Sequence, residues 1–501
     1  MAIAEKIKLT DYLPSDCAAG KTLWIGGEWE SAADAQTFAS IDPASGHELA
    51  QIAQGKAIDV DRAVQAAKVA AKTWAAMDGM ARAAILRKAA ELIREHRQAL
   101  GTLDSIDSGK TISETAGRNV DGTAGMFDFY AGITDKIRGS VIDMGPKTTG
   151  LVEKEPYGVV GAISPWNYPM SNAATKIAPI LACGNALVLK PAEQTPLSAL
   201  LLAHILDQAG LPKGVFNVVT GLGAEAGAAL VDHPGVPKLS FTGSTATGRR
   251  IAAAAGQNLK SVTLELGGKS PLIVFDDADL DAAASGAVTT VFMNQGQTCT
   301  SCAKVLVARS LVGSFISKCQ EKVAAIKIGD PLDPANDLGP IVSQVQLERV
   351  KKLLAQGAAA GAKQVELKAD YKPLDGGNFI APVILTDLDP TNPLAKEEIF
   401  GPVMAVYPFD TDDEAYAAAN DTQYGLAASV WTNSLARAEV ARRVINAGIV
   451  WINCVHTLSL NTPVPGRKAS GLGSEYGWEA MDNYMRLKTT VTMFGGYQGL
   501  F

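Results

Sequence analysis

Short apolar, β-branched runs recur through the middle of this chain, each followed by a stretch with helical spacing. That alternation constrains the fold more than any other feature. The runs fall at 158–164, 185–190, 215–220, 238–242 and 261–266, with helical patterns at 172–181, 195–210, 224–231 and 245–255. Buried strands alternating with crossover helices build a parallel sheet covered on both faces, the arrangement of nucleotide-binding α/β units. Thr195-Pro196 reads as a helix start, with a hydroxyl cap and proline in the first turn. A second series spans 271 to about 469, with candidate strands at 272–275, 304–308, 403–408, 427–431 and 449–453 and helices at 315–326, 412–420 and 435–447. It predicts a second α/β unit.

The flanks read differently. Residues 1–20 form a loose lead-in, and 23–29 a hairpin turning at Gly26-Gly27. Helices are expected at 59–74 and 81–100, broken at Gly79, and over 111–130 despite Gly117, Gly122 and Gly125. Segments 330–340 and 370–378 read as loops. Segments 140–154 and 487–493 fit neither series and read as strands; the latter, Leu-Lys-Thr-Thr-Val-Thr-Met, alternates as an edge-adding strand does.

Composition narrows the function classes. A length of 501 residues suggests about three domains. With 47% hydrophobic and 19% charged residues and a mean hydropathy of +0.09, the chain has much interior and a hint of surface hidden between subunits. A net charge of −7, no Lys/Arg run and 6% aromatics speak against nucleic acid or an anionic membrane as partner. Six cysteines are too few for a disulfide framework, and Cys299-x-x-Cys302 stands alone, so no metal is expected. The N-terminus has no signal-peptide apolar region, and no apolar stretch nears the ~18 residues of a membrane span. The expectation is a soluble enzyme of a reducing compartment, placed in the cytoplasm.

Seven segments offer chemistry, and each alone has a bland alternative. Ile163-Ser-Pro-Trp-Asn-Tyr-Pro169 ends a strand, where Asn167 can aim N–H donors at a developing oxyanion or serve only as a turn residue. Lys190 and Glu193, also at a strand end, suit a ribose, the carboxylate repelling a 2′-phosphate; read alone they are two surface charges. Gly221–Gly227 and Phe241–Gly248 put glycines and hydroxyls at strand-to-helix turns, though neither matches the usual dinucleotide fingerprint. Glu265, in Leu264-Glu-Leu-Gly-Gly-Lys269, is a candidate general base if burial raises its pKa. Cys299, among Gly, Gln and Thr, is a candidate nucleophile or a small buried hydrophobe. Glu397–Val403 and Gly471–Gly477 are loops carrying Glu398 and Glu475.

Taken together, Pro-Trp-Asn at 165–167, Lys-Pro-Ala-Glu at 190–193, Phe-Thr-Gly-Ser at 241–244, Glu-Leu-Gly-Gly-Lys at 265–269, Gly-Gln-Thr-Cys at 296–299 and Glu-Ile-Phe-Gly-Pro at 398–402 resemble the NAD(P)-dependent aldehyde dehydrogenase superfamily, from about residue 20 to 495. The resemblance implies a Rossmann-type NAD-binding domain (1–139 and 158–267), an α/β catalytic domain (268–470) and a small β oligomerisation arm (140–157 and 486–501) in a homodimer or homotetramer. It implies NAD rather than NADP as cofactor and a small aldehyde as substrate. Cys299 would attack as a thiolate, its pKa lowered locally. Asn167 and the Cys299 backbone N–H would hold the oxyanion, and Glu265 would activate water. Lys176 and Glu475 match positions tied to the catalytic polar network.

For the cofactor, the resemblance assigns Ile163, Ser164, Pro165, Trp166, Gly223, Phe241 and Leu266 to the binding site. Lys190 and Glu193 go to the adenosine ribose. Gly243, Ser244 and Gly248 go to the pyrophosphate turn, and Glu398 and Phe400 to the nicotinamide half. Met170, Thr298, Thr300, His456, Leu458 and Val464 would line the substrate channel. Val464-Pro465 stands where Phe-Gly is usual, Leu458 replaces a common aromatic, and Thr175 stands where Trp is common. Those departures argue against a quaternary-ammonium aldehyde. Cys302 is read as a passive neighbour of the nucleophile. The competing readings are an NADP-dependent or CoA-acylating dehydrogenase, which Glu265 disfavours in its acylating form, and a catalytically silent binding or structural protein on the same fold.

Overall fold

The computed structural model describes residues 7–389, 392–497 and 499; residues 1–6 of the expected NAD-binding domain and 498, 500 and 501 of the expected arm lie outside the described residues. The first alternating series forms five parallel strands: β1 (Val159–Ile163), β2 (Ala186–Lys190), β3 (Phe216–Val218), β4 (Lys238–Thr242) and β5 (Ser261–Glu265). They lie in the order β3-β2-β1-β4-β5 within an eight-stranded sheet. The chain leaves β1 in one direction and returns at β4 in the other, so the strand order reverses between these neighbours, where α/β sheets open a ligand crevice. The hairpin Leu23–Ile25/Glu28–Glu30 extends one edge, and Gly471–Leu472 runs antiparallel to β5 at the other. β2 is buried along its whole length because helices cover both faces. Trp74, Leu86, Phe127, Ile177 and Leu200 pack on one side, and Val64, Leu230 and Ile251 on the other.

The second series forms β6 (Pro271–Val274), β7 (Lys304–Ala308), β8 (Val383–Thr386), β9 (Val403–Phe409), β10 (Ala427–Trp431) and β11 (Ile449–Ile452). These six parallel strands take the order β8-β9-β7-β6-β10-β11, with Lys363–Val365 antiparallel on the β8 edge. Residues 266–270 are all that separate β5 from β6, so the carboxyl end of the first sheet faces the amino end of the second. The chain then crosses back, and the Leu266 N–H donates to the Ser470 carbonyl at 2.8 Å.

Local differences from the sequence reading have physical causes. Thr195 does not cap its helix. The helix Leu197–Gln208 starts without a side-chain cap, the Leu197 N–H donates instead to Asp107 Oδ2 at 2.8 Å, and the Thr195 hydroxyl has no partner among the described residues. Gly79 opens a helix rather than breaking one, because Asp78 accepts from the N–H groups of Met80 and Ala81. The 111–130 segment is a wide turn, Ser113–Asn119, leading into the helix Val120–Ile133.

The two leftover segments pair with each other. Ser140–Asp143, Thr148–Pro156 and Met485–Met493 form a separate antiparallel sheet, the last strand matched to the second along its full length. Val141, Leu487 and Val491 stand exposed on it. No helix among the described residues is long and apolar enough to cross a membrane.

Candidate active site

A cleft of about 650 Å³ opens beyond the carboxyl ends of β1, β2 and β4, within the roughly 300–1,000 Å³ of ligand pockets. Ile163, Ser164, Pro165 and Trp166 line it from the turn after β1. Lys190 and Glu193 line it from the end of β2, Gly223 from the turn after β3, and Phe241, Gly243 and Ser244 from the end of β4. Lys190 Nζ lies 2.6 Å from Glu193 Oε2. Burial works to raise the Glu193 carboxyl, but the Lys190 ammonium outweighs it and holds the group below its ordinary value. Ser244 caps the helix α1 (Thr245–Gln257), its hydroxyl accepting from the Thr247 N–H at 3.2 Å. The positive end of that helix and its free N–H groups therefore face the cleft. Gly248 and Leu266 act underneath it: a Cβ on Gly248 would meet Leu266 Cδ2 at 2.4 Å, so the glycine lets α1 sit down on the sheet.

The segment before β7 reaches the same place from the second sheet. Helix α2 (Leu280–Phe292) ends in a loop where Asn294, Gln295 and Gly296 all have left-handed backbone. For Asn and Gln this is a strained conformation that only surrounding packing maintains. The packing is visible in two glycines. A Cβ on Gly296 would lie 2.1 Å from the Gly401 carbonyl oxygen, and one on Gly268 would lie 2.4 Å from the Cys299 carbonyl oxygen. A Cβ on Gly267 would meet Glu398 Oε2, and the Gly268 N–H donates to Glu398 Oε1 at 2.9 Å. The glycines of three separate motifs are thus contact points that bring the 265–268, 294–299 and 398–402 segments together. Phe400 stands edge-on to Trp166, ring centroids 5.2 Å apart, and links that cluster to the cleft.

Around Cys299 the groups are acidic. Asn167 donates through Nδ2 to the Gln297 carbonyl at 2.9 Å, and Asn294 Nδ2 donates to the Asn167 carbonyl at 2.8 Å, which ties the two loops. Glu265, the last residue of β5, is buried, and its Oε1 has no partner among the described residues. Burial first, then the neighbouring Glu475, push its carboxyl well above the usual range, against the pull of Lys176. Lys176 Nζ contacts Glu475 Oε1 at 2.6 Å, Thr242 Oγ1 at 2.8 Å and Ser240 Oγ at 3.2 Å. Burial pushes Glu398 up to about 7. The half-buried Cys299 thiol is pushed up to about 12 by burial and by the carboxylates of Glu398, Glu265 and Glu475. This departs from the expected lowering: the largest charged influences on the thiol are three acids.

The aldehyde dehydrogenase family profile matches residues 29–490. The chain belongs to the aldehyde dehydrogenase family. A putative aldehyde dehydrogenase from Burkholderia cenocepacia is 40% identical, with 96% of this chain and 99% of that one covered at a TM-score of 0.93. An indole-3-acetaldehyde dehydrogenase mutant of P. syringae, solved with NAD⁺ and IAA, is 39% identical, with 94% and 96% covered at 0.92. An E. coli enzyme described as NADP dependent is 36% identical, with 95% and 98% covered at 0.92. The architecture is the aldehyde dehydrogenase fold, and the chain is an oxidoreductase acting on small aldehydes.

The residues expected along the substrate route of this aldehyde dehydrogenase divide. Thr298 is buried and its hydroxyl meets the Tyr168 hydroxyl at 2.9 Å. Thr300 Oγ1 lies 3.3 Å from His456 Nδ1, and His456 Nε2 lies 2.9 Å from Thr290 Oγ1. Burial draws His456 down to about 4, so it is a neutral tether between its loop and the cysteine segment. Leu458 is exposed and Val464 is buried beneath Glu475, its partner in a short antiparallel pair. Met170 is a correction: it has no exposed surface, packs in the first core, and gives its N–H to Asp104 Oδ1 at 3.0 Å. Cys302 is fully buried. Two residues that the sequence reading passed over stand beside them. Tyr168 and Tyr476 each sit one position after a named motif residue, and the Tyr476 phenol faces Thr175, Cys299 and Glu265.

Proposed function

We propose that this aldehyde dehydrogenase oxidises its aldehyde to the carboxylic acid with NAD, through a covalent intermediate on Cys299. The observation that supports the reading is that Asn167 is hydrogen-bonded to the loop leading into Cys299, while the buried Glu265 carboxyl acts electrostatically on the Cys299 thiol. Cys299 Sγ would bond to the carbonyl carbon, giving a thiohemiacetal whose oxygen Asn167 Nδ2 and the Cys299 N–H stabilise; one such donor is worth ~10²–10³ in rate. A dinucleotide bound in the cleft would supply the hydride acceptor for oxidation of the thiohemiacetal to a thioester, and a positive charge that would favour the thiolate. Glu265 would then take a proton from water, the hydroxide would add to the thioester, and the thiolate would leave as the acid forms. Lys176 and Glu475 act through Glu265 by setting its charge environment.

The cleft fits a dinucleotide on its own chemistry: an N–H-rich helix start for the pyrophosphate and the Lys190–Glu193 pair for a ribose. An ionised Glu193 disfavours a 2′-phosphate, which favours NAD over NADP. In the same reading the first sheet and its helices are the NAD-binding domain and the second sheet is the catalytic domain. The three-stranded sheet is the arm of a homodimer or homotetramer, held in the cytoplasm.

The test is NADH formation from an aldehyde panel, with NADP and with added CoA as comparisons. Turnover with NAD and a free acid product supports the reading. An acyl-CoA product, a preference for NADP, or full activity in Cys299→Ala overturns its corresponding part.

A further inference from the structure

Beside the loop that carries Cys299 stands a charge that the mechanism does not use. The wide turn Ser113–Asn119 departs from regular helix at Gly117, whose φ is −89° and ψ −108°. Arg97 Nη1 holds the kink by donating to the carbonyls of Ala116 at 2.7 Å and Gly117 at 3.3 Å. Such wide turns inside helices concentrate at functional sites, because the extra residue re-aims the side chain that follows. Here that side chain is Arg118.

Arg118 Nη2 lies 3.3 Å from Met293 Sδ, at the start of the loop that carries Cys299. Its nearest acid is Glu114, 3.6 Å away, but the same Glu114 oxygen is already held by Lys110 Nζ at 2.8 Å. Lys110 in turn sits 3.5 Å over the Tyr168 ring, and the Tyr168 hydroxyl meets Thr298, the residue before Cys299. Two cations therefore share one carboxylate. The next acid along the chain, Asp121, is paired with Arg97. Lys110 also has the buried Asp104 acting on it, whereas the Arg118 side chain is 69% exposed. Its field reaches both flanks of the nucleophile, Tyr168 on one side and His456 on the other.

We propose that Arg118 receives an anionic group at the far end of the substrate, so that the preferred aldehydes carry a carboxylate remote from the carbonyl carbon. This deepens the dehydrogenase reading and rests on it. The guanidinium fork suits a carboxylate, and Arg118 has N–H groups to spare for one. Position follows from charge. The groups that act on Cys299 are the acids Glu398, Glu265 and Glu475, none of them a cation that could hold an anion, while Arg118 attracts one at the outer end. A substrate with its carboxylate beside the aldehyde meets the acids; one with the carboxylate several carbons away meets the arginine.

The experiment compares ω-oxo acids of four to seven carbons with n-alkanals of the same length, using NAD and the full chain. The expected wild-type result is a kcat/KM at least tenfold higher for the oxo acid in one or more pairs, carried by KM. That preference should shrink severalfold as NaCl rises from 20 to 500 mM, because the pair is partly exposed. In Arg118→Ala the oxo-acid/alkanal ratio should fall at least tenfold, and Arg118→Lys should restore a large part of it. Alkanal turnover with no oxo-acid preference, or a preference indifferent to salt and to Arg118→Ala, overturns the inference and leaves the dehydrogenase standing. No turnover of either member of any pair overturns the dehydrogenase reading, and this inference with it. Should Arg118→Ala fail to fold, the salt dependence of the wild-type ratio decides.

Discussion

The two sheets meet at the site from opposite ends. In the first, every site residue follows a strand: Ser164–Asn167 after β1, Lys190 and Glu193 at β2, Thr242–Ser244 at β4, and Glu265 closing β5. In the second, site residues precede strands: Cys299 comes before β7, and Glu398 and Phe400 come before β9. The two ends also differ in kind. The first supplies a helix terminus, turns and an ion pair, and no non-glycine residue lining its cleft has left-handed backbone among the described residues. The second supplies the nucleophile and a raised carboxyl on loops where Asn294, Gln295, Phe400 and His456 are all left-handed. A binding surface can be built from relaxed backbone, whereas holding a thiol among three acids requires loops locked by packing.

The division of labour can be broken by substitution. The largest effect is expected for Cys299→Ala. Turnover should fall by ~10⁴ or more, while NAD binding, measured by calorimetry, stays within severalfold, since the cleft belongs to the other sheet. Loss of NAD binding would show that the two ends are not separable. Glu265→Gln crosses the divide and should slow acid release by ~10²–10⁴, with acyl-enzyme visible by mass spectrometry. It also tests the pKa. The folded value lies above the unfolded one, so this group's stability contribution is complete below the ordinary carboxylate range and is lost as pH rises through the raised value. The Glu265→Gln protein should therefore lose less melting temperature between pH 6 and 9 than the wild type.

Smaller effects sharpen the contrast. Alkylation of Cys299 without cofactor should quicken about tenfold per pH unit from 7 to 9, since the thiol titrates near 12, and NAD⁺ should speed it at fixed pH. A rate already flat at pH 7 would mean the carboxylates are not felt. Least in size, Glu193→Gln should raise NADP use relative to NAD by about tenfold, the equivalent of ~1.4 kcal/mol, and leave alkylation of Cys299 unchanged.

Legibility followed the same line. The first sheet was readable because its strands are continuous apolar runs and its ligand residues obey the rule that sites lie beyond carboxyl ends. In the second sheet the rule points away from the site: Cys299 and the Glu397–Val403 loop were only weak local candidates, and the roles of Cys299, Glu398 and Phe400 came through the resemblance. Helix α2 went unread because Ala283, Ala284, Ala287 and Val291 are buried around most of its surface, leaving little amphipathic contrast. The helix Gln344–Ala359 and strand β8 were also unassigned, although Leu347, Val350 and Gly357 mark a buried stripe on that helix. The charge at Cys299 was misjudged because burial and three carboxylates distant in sequence are invisible along the chain. Arg118 was missed for a related reason: its meaning depends on how Glu114 divides itself between two cations.

The return of the chain at Ser470 also orders its manufacture. Lys176 is buried on its helix and ion-paired to Glu475, and 299 residues separate them. A nascent chain that has completed the five parallel strands holds an ammonium there beside the hydroxyls of Ser240 and Thr242 and the neighbouring Glu265, with its ion-pair partner still to come, a costly state for a buried charge. The interior of the first sheet therefore gains this partner only once the final stretch of polypeptide has been made.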